Sequence, residues 1–195
     1  MKTQLNAFVV ADPGKCIGCR VCEVACAVVH SDLPVTTVGT MVTPIIPKMY
    51  MIRTATVTMP VHCRHCEDAP CGNACPVGAI TQKGDVIFIN EELCVGCKTC
   101  MMACPFGAVD LMPQYREGKQ VLQRALKTET LDGLVETSNK VANKCDRCFT
   151  RPAGPACVEA CPKQALELIN PSEARRKRNL DAAIDLFESV RKFIG

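Results

Sequence analysis

The sequence predicts an α+β fold built from a duplicated cysteine-rich unit, followed by a separate C-terminal amphipathic helix. Three observations predict it. All 16 cysteines of the 195 residues fall in four runs of four. Short apolar segments with strand character lead through similar turns into the first and third runs. Beyond residue 170 the cysteine pattern stops and a helical one replaces it. Aromatic residues supply only 4% of the chain and tryptophan is absent, so an ordinary apolar core would be thin and metal or disulfides must supplement it. The opening residues MKTQLNAFVV show no basic segment with a long apolar run, no cleavage site and no twin arginine. Reduced cysteines in the cytoplasm are therefore expected rather than disulfides in an oxidising compartment. No stretch approaches the ~18 apolar residues of a membrane span.

The third run, CVGCKTCMMACP, anchors the rest. Cys94, Cys97, Cys100 and Cys104 are spaced by two, two and three residues and followed by Pro105. In an iron–sulfur run of this spacing three thiolates hold one cubane and the fourth crosses to another, so a partner run is required. In chain order, residues 7–10 (AFVV) predict a strand that turns at Asp12, Pro13 and Gly14 into the first run, Cys16, Cys19, Cys22 and Cys26. VIFINEEL leads into CVGC in the same way. Gly18 and Gly96 occupy equivalent places inside CIGC and CVGC, where the backbone must turn tightly round a cluster. Residues 27–62, with four prolines, predict a connection ending in an extended run, TATVT.

The second run is Cys63, Cys66, Cys71 and Cys75, followed by Pro76. His62 and His65 beside it invite a mixed His/Cys metal site, but four cysteines already satisfy a cubane, so surface histidines with little effect on the site are expected. Residues 76–93 predict two strands joined at Lys83, Gly84 and Asp85. The exits CPVGAI, CPFGAV and CPKQAL repeat after Cys75, Cys104 and Cys161, proline fixing each turn; the first run departs, with Ala27 in the proline position. Residues 106–143 lack cysteine, and YREGKQVLQRALKTETLDGLVE has helical character, predicting an insertion without assignable chemistry. The fourth run, Cys145, Cys148, Cys157 and Cys161, carries the long loop FTRPAGPA. Arg147 and Arg151 either balance cluster charge there or face solvent.

The formal charge of +3 does not argue for nucleic acid. Each site of four thiolates round an oxidised cubane carries about −2, so four sites would bring the protein to roughly −5. The short connection from Cys75 to Cys94 favours pairing the second run with the third, leaving the first to the fourth. That nested arrangement groups Cys63, Cys66, Cys71 and Cys104; Cys75, Cys94, Cys97 and Cys100; Cys16, Cys19, Cys22 and Cys161; and Cys26, Cys145, Cys148 and Cys157. Pairing first with second and third with fourth, as in a tandem duplication, satisfies the spacing as well.

CIGCRVCEVAC, CRHCEDAPCGNACP, CVGCKTCMMACP and the CDRC…GPAC…ACP run together resemble the four-cluster electron-transfer subunits of molybdopterin and tungstopterin oxidoreductases, formate hydrogenlyase and hydrogen-dependent carbon dioxide reductase. The resemblance covers about residues 8–168. It implies a duplicated two-cluster bacterial ferredoxin-like fold, a polyferredoxin, with two βαβ halves related by approximate twofold symmetry. It also implies the nested pairing, four 4Fe-4S clusters in a line, and all sixteen cysteines as iron ligands. The implied organisation is a four-cluster domain, 1–170, with an outer half (1–31 plus 143–170), an inner half (54–112) and an insertion (113–142), followed by a helical tail, 171–195. Implied partners are catalytic redox subunits such as formate dehydrogenase, hydrogenase, aldehyde oxidoreductase or carbon monoxide dehydrogenase.

With every cysteine a ligand, no activated nucleophile remains. The sequence also lacks a phosphate-binding glycine loop, a radical CxxxCxxC motif and a carboxylate pair. A non-catalytic subunit passing single electrons between redox partners is the expectation. A zinc-binding structural or interaction module is the alternative, against which the gaps of two, two and three argue. In the tail, Leu180, Ala183, Phe187, Val190 and Ile194 recur at intervals of three and four, an apolar helical stripe. It either packs on its own domain or docks another subunit, including copies or paralogues of this chain in an extended assembly. Both signs of charge on its polar face argue against a membrane-surface helix.

Overall fold

The computed structural model describes residues 5–131 and 133–194; residues 1–4, 132 and 195, which belong to the expected outer half, insertion and tail, lie outside them. The chain opens with β1 (Phe8–Ala11), whose alternating pattern buries Val9 and Ala11, and enters α1 (Val21–Val29) through the first cysteine run. β2 (Tyr50–Arg53) and β3 (Thr58–Val61) form an antiparallel hairpin. TATVT is therefore mostly the turn of that hairpin and not an extended run. The Thr54 hydroxyl accepts the amides of Thr56 and Val57 at 3.3 and 2.9 Å, and the Thr54 amide donates to the Val57 carbonyl at 2.8 Å. A threonine that satisfies the backbone locally competes with strand pairing.

α2 (Pro70–Asn73) is a single turn, followed by the hairpin β4 (Ile80–Lys83) and β5 (Val86–Ile89), as the sequence predicts. α3 (Thr99–Ala103) follows the third run. The cysteine-free interval 106–143, of which 115–136 are expected to have helical character, instead carries β6 (Asp110–Pro113), β7 (Tyr115–Arg116), β8 (Lys119–Gln120), β9 (Leu122–Thr130), β10 (Gly133–Ser138) and β11 (Lys140–Asn143). β9 and β10 pair from Leu122↔Ser138 to Thr130↔Gly133 with an irregularity between Glu136 and Thr137. The Asp-Gly dipeptide in this part of the sequence is a strong hairpin signal, and it outweighs the helix-favouring Lys, Gln and Glu of the strands. β11 returns to pair with β6, and Val141 and Ala142 are buried. α4 (Ala156–Glu159) and β12 (Leu166–Ile169) complete the cysteine-bearing part.

β1 pairs antiparallel with β12, Phe8 opposite Ile169, and α1 packs on α4; α2 packs on α3. The first run thus lies against the fourth, and the second against the third. Cysteine takes part in every buried cluster. Cys22, Cys26 and Cys157 pack with Val9, Met49 and Leu166; Cys71 and Cys100 with Ile80, Ile87 and Val109; Cys63 and Cys145 with Ala108. α5 (Pro171–Ile194) starts at Asn170, whose side chain accepts the amides of Ser172 and Glu173 at 3.2 and 3.5 Å, with proline at its first position. From Glu173 to Phe193 every residue is exposed, Phe187 at 67% and Phe193 at 91%. The stripe of Leu180, Ala183, Phe187 and Val190 therefore does not pack on its own domain; the side chain of Ile194 lies outside the described set. No described helix is long and apolar enough to cross a membrane.

Candidate metal centres

Each cysteine loop is held by its backbone. The Asp12 side chain accepts the Gly14 amide at 2.8 Å and the Asn90 side chain the Glu92 amide at 3.1 Å, the same turn four residues before Cys16 and before Cys94. The Asp12 amide donates to Ala165 at 2.8 Å, and the Asn90 amide to Ala79 at 2.7 Å. Entry of the first run is thereby sewn to exit of the fourth, and entry of the third to exit of the second. Gly18 and Gly96 sit at φ +69° and +65°. A Cβ on Gly96 would lie 2.5 Å from the Lys140 carbonyl oxygen, so that position excludes a side chain.

The three Cys-Pro-x-x-Ala exits share one bond. Ala79, Ala108 and Ala165 each donate an amide to the sulfur four residues earlier, Cys75, Cys104 and Cys161, at 3.3 Å. The first run, lacking the proline, receives its bond from elsewhere: the Lys48 amide donates to Cys26 Sγ at 3.2 Å. Ala142 donates to Cys94 at 3.2 Å, and His65 and Arg147 donate to Cys63 and Cys145 at 3.4 Å. Amides aimed at sulfur favour the thiolate and tune what binds to it.

Four thiols wall each of three similar cavities. Cys16, Cys19, Cys22 and Cys161 line one, Cys75, Cys94, Cys97 and Cys100 another, and Cys63, Cys66, Cys71 and Cys104 the third. Cys26, Cys145, Cys148 and Cys157 converge as well. Burial pushes the Cys157 thiol up to about 12, with Cys26 and Cys148 near enough to add to the effect, and pushes Cys145 well above the usual range with Cys157 and Cys26 adding. Burial likewise lifts Cys22 and Cys71 to about 11. None of the sixteen is in a disulfide. Left alone these thiols stay neutral, and a soft metal would have to displace their protons. A set of thiols alone, in fours, with amides directed at sulfur, suits iron–sulfur cubanes and leaves no open coordination position for hydrolytic chemistry. Cys19 and Cys97, at equivalent motif positions, are the two exposed members.

The structure corrects the histidine and arginine expectations. His62 and His65 are buried at 5% and 0% exposure. His62 Nε2 lies 3.8 Å from Cys157 Sγ, and burial with Arg64 nearby drives its pKa down to about 4. Arg147 is bidentate to Asp85 at 2.6 and 2.9 Å, and Arg151 pairs with Glu159 at 2.5 Å; both guanidiniums are engaged by carboxylates. Sequence reasoning missed His30, which belongs to no motif. Its Nε2 lies 3.0 Å from Asp146, and its Nδ1 2.7 Å from the Cys26 carbonyl and 3.7 Å from the sulfur. Burial opposes charge on this ring, but Asp146 and Cys26 together outweigh it and raise the pKa to about 10, while Asp146, against its own burial, is held near 2 by His30.

Residues 62–108 and residues 86–162 each match a family described as a 4Fe-4S dicluster domain. Among curated proteins, the electron transport protein HydN of Escherichia coli (strain K12) is 40% identical over 83% of this chain and 87% of its own. Hydrogenase-4 component A of the same strain is 40% identical over 89% of this chain and 87% of its own. Formate hydrogenlyase subunit 2, also from that strain, is 35% identical over 90% of each.

Proposed function

The chain belongs to the 4Fe-4S dicluster family of iron–sulfur electron-transport proteins, and from that membership we propose that it carries four clusters and relays electrons one at a time between the subunits of a redox complex. Bound in such sites, each cluster accepts and releases single electrons at a potential set by charge, burial and hydrogen bonds to sulfur. The chain's own contribution is to hold each cubane with four thiolates, aim amides at the sulfurs and exclude water from all but the ends.

The observation that carries the proposal is the set of three similar cavities, each walled by three cysteines of one run and the fourth of another. The nested ligand sets then put Cys16, Cys19, Cys22 and Cys161 at one end. Next come Cys26, Cys145, Cys148 and Cys157, then Cys63, Cys66, Cys71 and Cys104, and finally Cys75, Cys94, Cys97 and Cys100. The buried clusters support that order: Cys22 packs with Cys157, Cys145 with Cys63, and Cys71 with Cys100. This is a duplicated two-cluster ferredoxin-like architecture, with outer half 1–31 plus 143–170 and inner half 54–112.

The protein is proposed to be a non-catalytic cytoplasmic subunit, its partners a hydrogenase, a formate dehydrogenase or a related catalytic subunit. The exposed α5 supports a further contact, with such a partner or with copies or paralogues of this chain. Anaerobic purification should yield about 16 irons and an equal amount of acid-labile sulfide per chain; zinc without sulfide would overturn the assignment. Deleting residues 172–195 should reduce the size of the native assembly, and an unchanged assembly removes the helix from that role.

A further inference from the structure

Apart from the cysteines, a group of buried polar side chains joins the second and fourth runs. Lys144 is 3% exposed, and its ammonium donates to the carbonyls of Ile87 and, at 3.0 Å, Cys145. Among the described residues it forms no salt bridge. His65 accepts the Ile87 amide on Nδ1 at 3.1 Å, which puts the ring proton on Nε2; that nitrogen is buried and has no partner. Arg147 spends its two terminal nitrogens on Asp85, but its buried Nε also has none. Here are an ammonium without a counter-ion and two donors without acceptors. A buried cation is costly unless an anion meets it, and no carboxylate of the described residues lies within salt-bridge distance of this one.

Two cysteine sites flank this group. Cys63 and Cys145 share one buried cluster with Ala108. Ile87, whose carbonyl receives the lysine, lines the cavity of Cys63, Cys66, Cys71 and Cys104. Lys144 also acts electrostatically on Cys71, opposing the rise that burial imposes on that thiol.

We propose that Lys144 is the shared counter-ion of the two inner clusters, one on Cys63, Cys66, Cys71 and Cys104 and the other on Cys26, Cys145, Cys148 and Cys157, and that with the Nε2–H of His65 it raises their reduction potentials. This rests on the four-cluster assignment above. A fixed positive charge favours the reduced, more negative state of a neighbouring cluster. In the dry interior between the halves it is weakly screened, so it acts on the two inner sites and hardly on the terminal ones.

The test is an EPR-monitored redox titration of the intact holoprotein as wild type, Lys144→Met, Lys144→Arg and, as a surface control, Lys127→Met. Lys144→Met should move two midpoints to lower potential and leave two in place; Lys144→Arg and Lys127→Met should leave all four near wild type. A fully loaded Lys144→Met protein with four wild-type midpoints, or with all four shifted alike, overturns the proposal. If Lys144→Met takes up less iron, pulsed EPR of reduced wild-type protein and of Lys144→Arg, both grown on lysine carrying 15N only at Nζ, decides. Coupling between a lysine Nζ and a cluster is expected in the wild type and not in Lys144→Arg; its absence from the wild type, or its persistence in the variant, overturns the assignment. A wild-type iron content far from about 16 would instead remove the four-cluster assignment beneath it.

Discussion

The backbone amide of Lys48 donates to Cys26 Sγ at 3.2 Å, although 22 positions separate them. It replaces the bond that the other three runs make within their own Cys-Pro-x-x-Ala exits. The connection after the first run thus supplies the donor that its exit lacks. Lys48→Pro removes the amide and should lower the potential of one cluster and weaken its retention on heating. Lys48→Ala keeps the amide and should leave that midpoint close to wild type. Redox titration of both variants checks this, and equal midpoints would dissociate the bond from the site.

Cys104 lines the cavity of Cys63, Cys66 and Cys71 rather than that of its own run. Cys104→Ala should therefore lower iron content by about 4 per chain or convert that site to a three-iron form. The EPR signal of the site on Cys94, Cys97 and Cys100 should persist. Selective loss of the latter signal would reverse the assignment.

Gln164 holds φ +48° at the exit position where Gly78 and Gly107 stand at +63° and +59°. It is exposed, so Gln164→Gly sacrifices little packing and relieves left-handed strain worth about 1 kcal/mol. A slower bleaching of cluster absorbance at high temperature should result.

The reverse experiment at Gly96 should fail, since a methyl group there would meet the Lys140 carbonyl at 2.5 Å. Gly96→Ala should cost about 2 kcal/mol or more. Iron uptake at the third run is the readout.

The His30–Asp146 pair gives a pH signature. The folded-state pKa of His30 is raised to about 10, so its contribution is complete below the unfolded value near 6.5 and disappears as pH rises through about 10. His30→Asn should lower the apparent melting temperature most near pH 6 and progressively less toward pH 10.5. A difference constant across that range would show that the pair is held by shape alone.

The cysteine loops were largely legible because their spacing is local: four residues in a fixed rhythm dictate a loop whatever surrounds it. The entry strands, the β4–β5 hairpin and the terminal helix were legible for the same reason. Pairing was ambiguous because nested and tandem arrangements alike join one short-gap run to one long-gap run. The hydrogen bonds from Asp12 to Ala165 and from Asn90 to Ala79 tie the runs in the nested sense. Residues 115–136 misled because Lys, Gln and Glu score as helix formers while the Asp-Gly dipeptide of the sequence carries the decisive information. The buried His65, His30 and Lys144 left no local trace, since a histidine's or lysine's burial depends on segments distant in sequence.

Cys19 and Cys97 are exposed at matching positions of the first and third runs, which the proposed order places at opposite ends of the line. This exposure marks neither end of the proposed line as an entrance or an exit. The openness that admits a partner at each terminal also admits dioxygen, and thiolates oxidise in proportion to their exposure. Air should therefore bleach the line from its tips inward, and a docked partner should protect it.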